Sequence, residues 1–469
     1  MSVDPIEHPG PARLQPGLAR MQPGPRLRFG VALLGIASLG VVLRLAYVAI
    51  VSPHVRPGLD SVWYSLVAQS LAARHLYSDP SLLLRGISRP TANFPPLFPT
   101  FLAGLYRAGV TTRTGYEIAG AFCGGVTIIL TGVLGRRISG RVAVGLVAAG
   151  LVAICPALIA ADASVMAETI AVPLSVAVLI AATWARSSGS CRRWAVVGAL
   201  AGLVVLARSE ALAAAVLLVP AAVGAGTRTA TVGRRLGLCA VALAATAAVV
   251  MPWAVRNVVV FNPPVLLSSN GDSVVAGANC ASVYHGPQVG LWDFACTRYQ
   301  RHDGLGEARY ARTLGSEGAR YALDHATRVP VVVAVRVARA WGLYNPRQQV
   351  RAEAIESRSL GWQQAAWPVS VVLLALALPG LAGIGTRRFE LVVLGGPVVL
   401  ASLVAALTWG DQRFVVSAVP ALAIAATLAV GRLVRGRTVP GARRLRLELR
   451  RRRPGAQSCA EPAAARSSS

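Results

Sequence analysis

Apolar residues fall along this chain in long runs, and the polar residues gather where the runs end. A membrane-crossing helix needs roughly 20 consecutive apolar residues. The pattern predicts spanning helices near 29–51, 117–135, 142–160, 168–185, 194–207, 210–225, 236–254, 366–384, 389–408 and 414–431. Arg136, Arg137 and Arg141 follow the second run, Arg186, Arg192 and Arg193 the fourth, Arg228, Arg234 and Arg235 the sixth, and Arg387 and Arg388 the eighth. Every other connection is therefore short and Arg-rich, which marks the cytoplasmic side and places both termini there. The reading is an all-α polytopic membrane protein of about 10 transmembrane helices.

Leu97 to Tyr106 is apolar but too short to span, so 97–112 reads as an interfacial segment at the outer surface. The turn at Arg208-Ser209-Glu210 divides two short spans. The expected organisation is a disordered cytoplasmic N-terminus (1–28), a transmembrane core (29–254) with its first outer loop at 52–96, and a mixed extracytoplasmic segment (255–365). C-terminal spans (366–432) and an Arg-rich cytoplasmic tail (433–469) complete it. Within the second outer segment, Arg328, Arg336, Arg339 and Trp341 suit an amphipathic helix in the headgroup region, with an ordinary packed helix as the alternative.

Composition agrees with this class. The chain is 54% hydrophobic and 14% charged, with a mean hydropathy of +0.55, outside the range of soluble globular proteins. Its basic residues are all arginine, as a GC-rich bacterial genome would give. The net charge of +27 sits at run ends and in the tail (Arg443, Arg444, Arg446, Arg450, Arg451, Arg452, Arg453). That placement fits topology and anionic membrane lipids rather than nucleic acid. The first apolar run, from Phe29, is too long for a cleavable signal. Cys123, Cys155 and Cys239 fall in spans, and Cys191 and Cys459 on the cytoplasmic side. Cys280 and Cys296 share an outer segment, where an oxidising compartment favours a disulfide over two free thiols.

The candidate chemistry lies on one face. Asp60 follows the first span in Gly58-Leu59-Asp60-Ser61-Val62-Trp63-Tyr64. It suits the N-cap of a helix and equally a general base. Glu168 opens the fourth span, where the helix dipole favours an anion; it could also hold a metal with Asp60, with Asp162 a weaker candidate. Arg44 lies about 10 Å deep in the first span, able to snorkel or to bind a lipid phosphate. Arg208, Glu210, Arg256, Asp411 and Arg413 add charge at outer helix ends, as ion pairs or as substrate contacts. A transporter or lipid flippase is the alternative class, although the charges collect at one surface rather than at the midplane.

These residues, in this order, resemble the GT-C superfamily of polyprenol-phosphate-dependent glycosyltransferases. The nearest branch holds protein O-mannosyltransferases and lipid A aminoarabinose transferases. The likeness rests on Asp60 with Tyr64, Phe94-Pro95-Pro96-Leu97-Phe98-Pro99, Met166-Ala167-Glu168-Thr169 and Ala207-Arg208-Ser209-Glu210-Ala211. Pro252-Trp253 with Arg256-Asn257, Ser269-Asn270-Gly271 and Asp411-Gln412-Arg413-Phe414 complete it. Ser61 stands where many members have a second acid, and Asn93-Phe94 replaces the usual His, a role left to His54 or His75. The resemblance implies an actinobacterial-type plasma-membrane enzyme working on its outer face by an inverting mechanism. It would move a sugar from a polyprenyl-phosphate donor to a hydroxyl of a glycan, lipid or protein. It implies Asp60 as catalytic base, and Arg44, Tyr64, Arg208, Glu210, Arg256 and Arg413 as phosphate or substrate contacts. Asp60 and Glu168 would hold a divalent metal ion.

Overall fold

The computed structural model describes residues 25–74, 76–186, 189–227, 230–298 and 306–434. His75, the arginines at 443–453 and most of both expected termini lie outside the described residues. Among the described residues there is no β-strand, and one isolated bridge joins Ser78 to Pro90.

The apolar runs become helices α1 (Pro25–Ile50), α4 (Arg113–Ser139), α5 (Val142–Ile154), α6 (Pro156–Asp162), α7 (Glu168–Arg186), α8 (Cys191–Ala207), α9 (Ala211–Gly226), α10 (Val232–Val260), α15 (Leu360–Ala382), α16 (Arg388–Leu407) and α17 (Val419–Val434). The polar connections carry α2 (Leu59–Arg74), α3 (Leu97–Arg107), α11 (Asn270–Ala278), α12 (Glu307–Asp324), α13 (Val329–Ala340) and α14 (Pro346–Ile355).

Six helices are long and apolar enough to cross a membrane, or seven if α5 and α6 count as one span. That pair is bent by 61°. The expected straight helix over 142–160 breaks because Cys155 precedes Pro156 and is driven into an extended conformation. The shorter α8, α9 and α17 occupy the remaining expected spans.

Close helix contact depends on small residues, because apolar side chains gain little by leaving lipid for protein. A Cβ at Gly198 would collide with the Ala242 carbonyl, so α8 and α10 touch backbone to backbone there. Thr246 Oγ1 crosses the same seam to the Gly198 carbonyl at 2.8 Å.

The two segments expected on the outer side are pinned to one another. Ser269 donates its amide to Ala92 O at 2.9 Å, and Glu307 accepts from the Ala92 amide at 2.8 Å. The Ser357 hydroxyl accepts from the Gly58 amide at 2.6 Å, and a Cβ on Gly58 would meet the Ile355 carbonyl at 2.7 Å. Cys280 and Cys296 form a disulfide within the second outer segment.

α13 departs from the headgroup-helix expectation. Arg336 and Arg339 are buried rather than presented to lipid. Arg336 donates to the Ala278 and Ala406 carbonyls, and Arg339 donates to the Val289 carbonyl at 2.6 Å and to Gln348 Oε1 at 2.9 Å. Backbone carbonyls from distant segments satisfy these guanidinium groups, so α13 packs as a structural helix against α16.

Candidate active site

Asp60 stands in the first turn of α2, and Gly58 lets the chain approach the 355–357 backbone closely enough to hold it there. Glu168 starts α7, and Arg208 caps the end of α8. Asp411 and Arg413 lie in the connection between α16 and α17. The fold brings all five together.

Arg413 is the hub. Its Nη1 lies 3.4 Å from Asp60 Oδ2 and 3.3 Å from Glu356 Oε2, and its Nε lies 3.4 Å from Asp411 Oδ2. Arg208 is ion-paired with Glu168 and, at 2.5 Å, with Glu210. The ring of Phe414 links the two halves: the Arg208 and Arg413 guanidinium carbons stand 5.8 and 5.7 Å from its centroid. Behind them, Arg358 pairs with Glu353, which accepts from the Gln412 amide at 2.9 Å.

Glu353, Glu356 and Arg358 were missed in the sequence. They form Glu353-Ala354-Ile355-Glu356-Ser357-Arg358, two acids and an arginine ending two residues before the chain re-enters the bundle at Leu360. That position was the available signal. Two non-glycine residues with positive φ flank the cluster, Val165 at 53° and Ser357 at 61°. For a β-branched residue this conformation costs about 1–3 kcal/mol, a strain typical of functional sites. The turn that Val165 closes sets Glu168 against Arg208.

The cluster holds six carboxylates (Asp60, Glu168, Glu210, Glu353, Glu356, Asp411) against three guanidinium groups (Arg208, Arg358, Arg413). The excess negative charge is relieved by protons. Burial and the neighbouring Asp411 drive Glu353 well above the ordinary carboxylate range, while Arg413 and the Glu353 carboxyl hold Asp411 below it. Burial and the charges of Asp60 and Asp411 push Glu356 to about 7 against the pull of Arg413. Burial likewise raises Asp60, again opposed by Arg413. Asp60 and Glu356 nevertheless keep 30% and 27% of their side chains exposed, whereas Glu353, Glu168 and Arg358 keep 1–2%. A proton-transfer group must be reachable by substrate, and these two acids meet that condition on the same guanidinium nitrogen.

Of the expected metal pair, Asp60 faces Arg413 and Glu168 faces Arg208. Among the described residues no group of three His, Cys, Asp or Glu side chains could hold a metal ion. Three other candidates are engaged by groups of the protein itself. Arg44 lies in the bundle interior, donating to Asp162 Oδ2 at 2.6 Å and to the Gly40 and Ala153 carbonyls at 3.0 Å, so it and Asp162 neutralise each other away from the cluster. Arg256 clamps the first outer loop through Thr91 O at 2.8 Å and Tyr77 O at 3.3 Å and stands over Trp253. Tyr64 is buried among Phe94 and Phe98, with centroids at 4.9 and 5.0 Å. It forms an aromatic wall behind Asp60, built from the Phe-Pro-Pro-Leu-Phe-Pro segment.

An apolar groove of about 130 Å³ opens from this cluster. Arg208, Glu210 and Phe414 form its polar end, and small side chains such as Ala182, Ala201 and Ala215 line it between α7, α8, α9 and α16. From Ala211 to Ala222 it follows α9 for about 16 Å.

No protein-family model and no curated protein sequence matches this chain. Solved structures do. An oligosaccharyltransferase (AglB) from Archaeoglobus fulgidus, in complex with an inhibitory peptide and a dolichol-phosphate, superposes with a TM-score of 0.50 at 15% identity over 89% of this chain and 52% of its own. The Archaeoglobus fulgidus oligosaccharyltransferase tethered to an acceptor peptide gives 0.51 at 13% identity, over 87% and 50%. ArnT from Cupriavidus metallidurans bound to undecaprenyl phosphate gives 0.39 at 15% identity, over 87% and 78%. The chain thus spans about half the length of the archaeal enzymes, and what it shares with them is the fold of a polytopic all-α membrane protein.

Proposed function

We propose that this chain is a plasma-membrane glycosyltransferase that moves a sugar from a polyprenyl-phosphate donor to an acceptor hydroxyl at the outer membrane face, with inversion. The observation that carries the reading is the continuity of the apolar groove with the carboxylate–arginine cluster. A polyprenyl phosphate is an apolar chain ending in an anion. The groove suits the chain, and Arg208 at its mouth, with Arg413 beside the lining ring of Phe414, suits the phosphate through charge-assisted hydrogen bonds. The archaeal protein of the same fold was solved with a dolichol-phosphate, which agrees with this pairing.

The chemistry follows from the exposed acids. Asp60, ionised, takes the proton of the acceptor hydroxyl as that oxygen attacks the anomeric carbon. The bond from that carbon to the phosphate oxygen breaks on the opposite side, and the electron pair leaves with the polyprenyl phosphate. Arg208 and Arg413 stabilise the charge that grows there. Glu356 shares Arg413 with Asp60 and, protonated below about pH 7, lowers the negative charge the leaving phosphate meets. The acceptor would be a glycan, a lipid or a protein.

The test is release of polyprenyl phosphate from a labelled lipid-linked sugar by purified full-length protein. Asp60→Asn, inserted normally, is expected to lose at least about 100-fold of transfer. Full transfer by that variant would refute the base assignment. A chain that moves the intact lipid-linked sugar across vesicles without cleaving it would instead be a flippase.

A further inference from the structure

We propose a second ligand site at the end of the bundle opposite the carboxylate–arginine cluster, shaped for the phosphate-ester headgroup of an anionic membrane lipid. A cavity of about 450 Å³ lies where the α4–α5 and α15–α16 connections meet α17. That volume is in the range of small-molecule sites. Arg141, Arg387 and Arg432 line it, one from each of the three converging parts.

Among the described residues none of these three arginines has a carboxylate partner. Arg432 donates to the Gly380 carbonyl at 3.3 Å. Glu390, the one acid of the lining, is already bound by Arg186 at 2.8 Å. The cavity therefore presents three cations around one space against a single acid, Glu390, which is shared between Arg186 and the field of Arg387, and planar guanidinium groups match phosphate oxygens.

Two observations favour an amphiphile over a free anion. Ile138, Ile384 and Leu428 form an apolar floor that a soluble phosphate would leave unused. The site also lies at the helix ends: α16 runs from beside Arg387 to the approach to Asp411, 20 residues or about 30 Å, the thickness of a bilayer core. The headgroup cavity and the catalytic cluster thus sit at opposite faces, and this inference stands apart from the proposed transfer reaction. Basic pockets between helix ends are known receptors for anionic headgroups.

The experiment uses delipidated full-length protein and reads ligand retention by native mass spectrometry and thermal shift. The probes are phosphatidylglycerol, phosphatidylcholine and glycerol 3-phosphate. Phosphatidylglycerol is expected to bind about tenfold more tightly than the other two, a difference of about 1.4 kcal/mol. Arg141→Gln with Arg387→Gln should abolish that preference, and Arg141→Gln alone should reduce it should the double variant fold poorly. Arg137→Gln with Arg192→Gln removes two exposed arginines outside the cavity and should leave the preference intact. Equal binding of phosphatidylcholine or of glycerol 3-phosphate overturns the proposal. So does an equal loss in the Arg137/Arg192 control, which would mean diffuse attraction to basic helix ends.

Discussion

Replacing Arg413 by Gln tests the site at its hub. Arg413 lies within 3.4 Å of carboxylate oxygens on Asp60, Glu356 and Asp411, and it opposes the burial that raises Asp60. Two unit charges at that distance interact by about 5 kcal/mol at an effective dielectric of 20. Asp60 keeps 30% of its side chain exposed, so solvent screens much of this, leaving about 1–2 pH units of influence. The sign is fixed. In the proposed reaction ionised Asp60 is the base, so transfer would fall as pH drops through its pKa. Loss of Arg413 raises that pKa further, so the acid limb of the pH–rate profile should move up by about 1–2 units. At a fixed pH on the acid limb the rate should drop about 10- to 100-fold, with Arg413→Lys restoring the limb. The assay follows polyprenyl phosphate release between about pH 5 and 9. A lower rate with an unmoved acid limb would refute the reasoning, because Arg413 would then lie outside the field of the titrating base.

Other outcomes follow from separate features. Glu168→Gln strands Arg208 beside a half-exposed Glu210; breaking so buried a pair should cost about 3–5 kcal/mol, read as a lowered unfolding midpoint in detergent. Arg44→Leu should destabilise by a similar amount, about 3–5 kcal/mol, with Asp162→Leu in the same chain recovering most of it, and the donor KM of the folded fraction should not change. Ala215→Phe fills the apolar groove, so it should raise the KM for a long-chain donor about tenfold while sparing a donor with a short, water-soluble chain.

Hydrophobic spacing made the bundle legible. A run of apolar residues ended by arginine has few meanings in a chain of this composition, and the turn at 208–210 sits where the spacing placed it. The break inside 142–160 was carried by Pro156, whose constraint on Cys155 outweighed the apolar pattern. The site was legible in part. Asp60, Glu168, Arg208, Asp411 and Arg413 announced themselves as charges at apolar boundaries. Glu353, Glu356 and Arg358 lay in a polar stretch where charge is ordinary, so only their nearness to the apolar run at Leu360 set them apart. Arg44, Arg336 and Arg339 misled for a related reason. An arginine near a membrane reads alike whether it serves lipid, substrate or a carbonyl, and the partners here are up to 118 residues away.

The contact between Arg413 and Asp60 joins residues 353 positions apart. One lies in the first turn of α2, the other in the connection between α16 and α17. During biogenesis the earlier acid must therefore wait, without its cation, until the 353 positions that separate them have been made. The cluster is thus completed late, and a chain truncated before residue 413 would hold Asp60 and Glu356 without the cation they share.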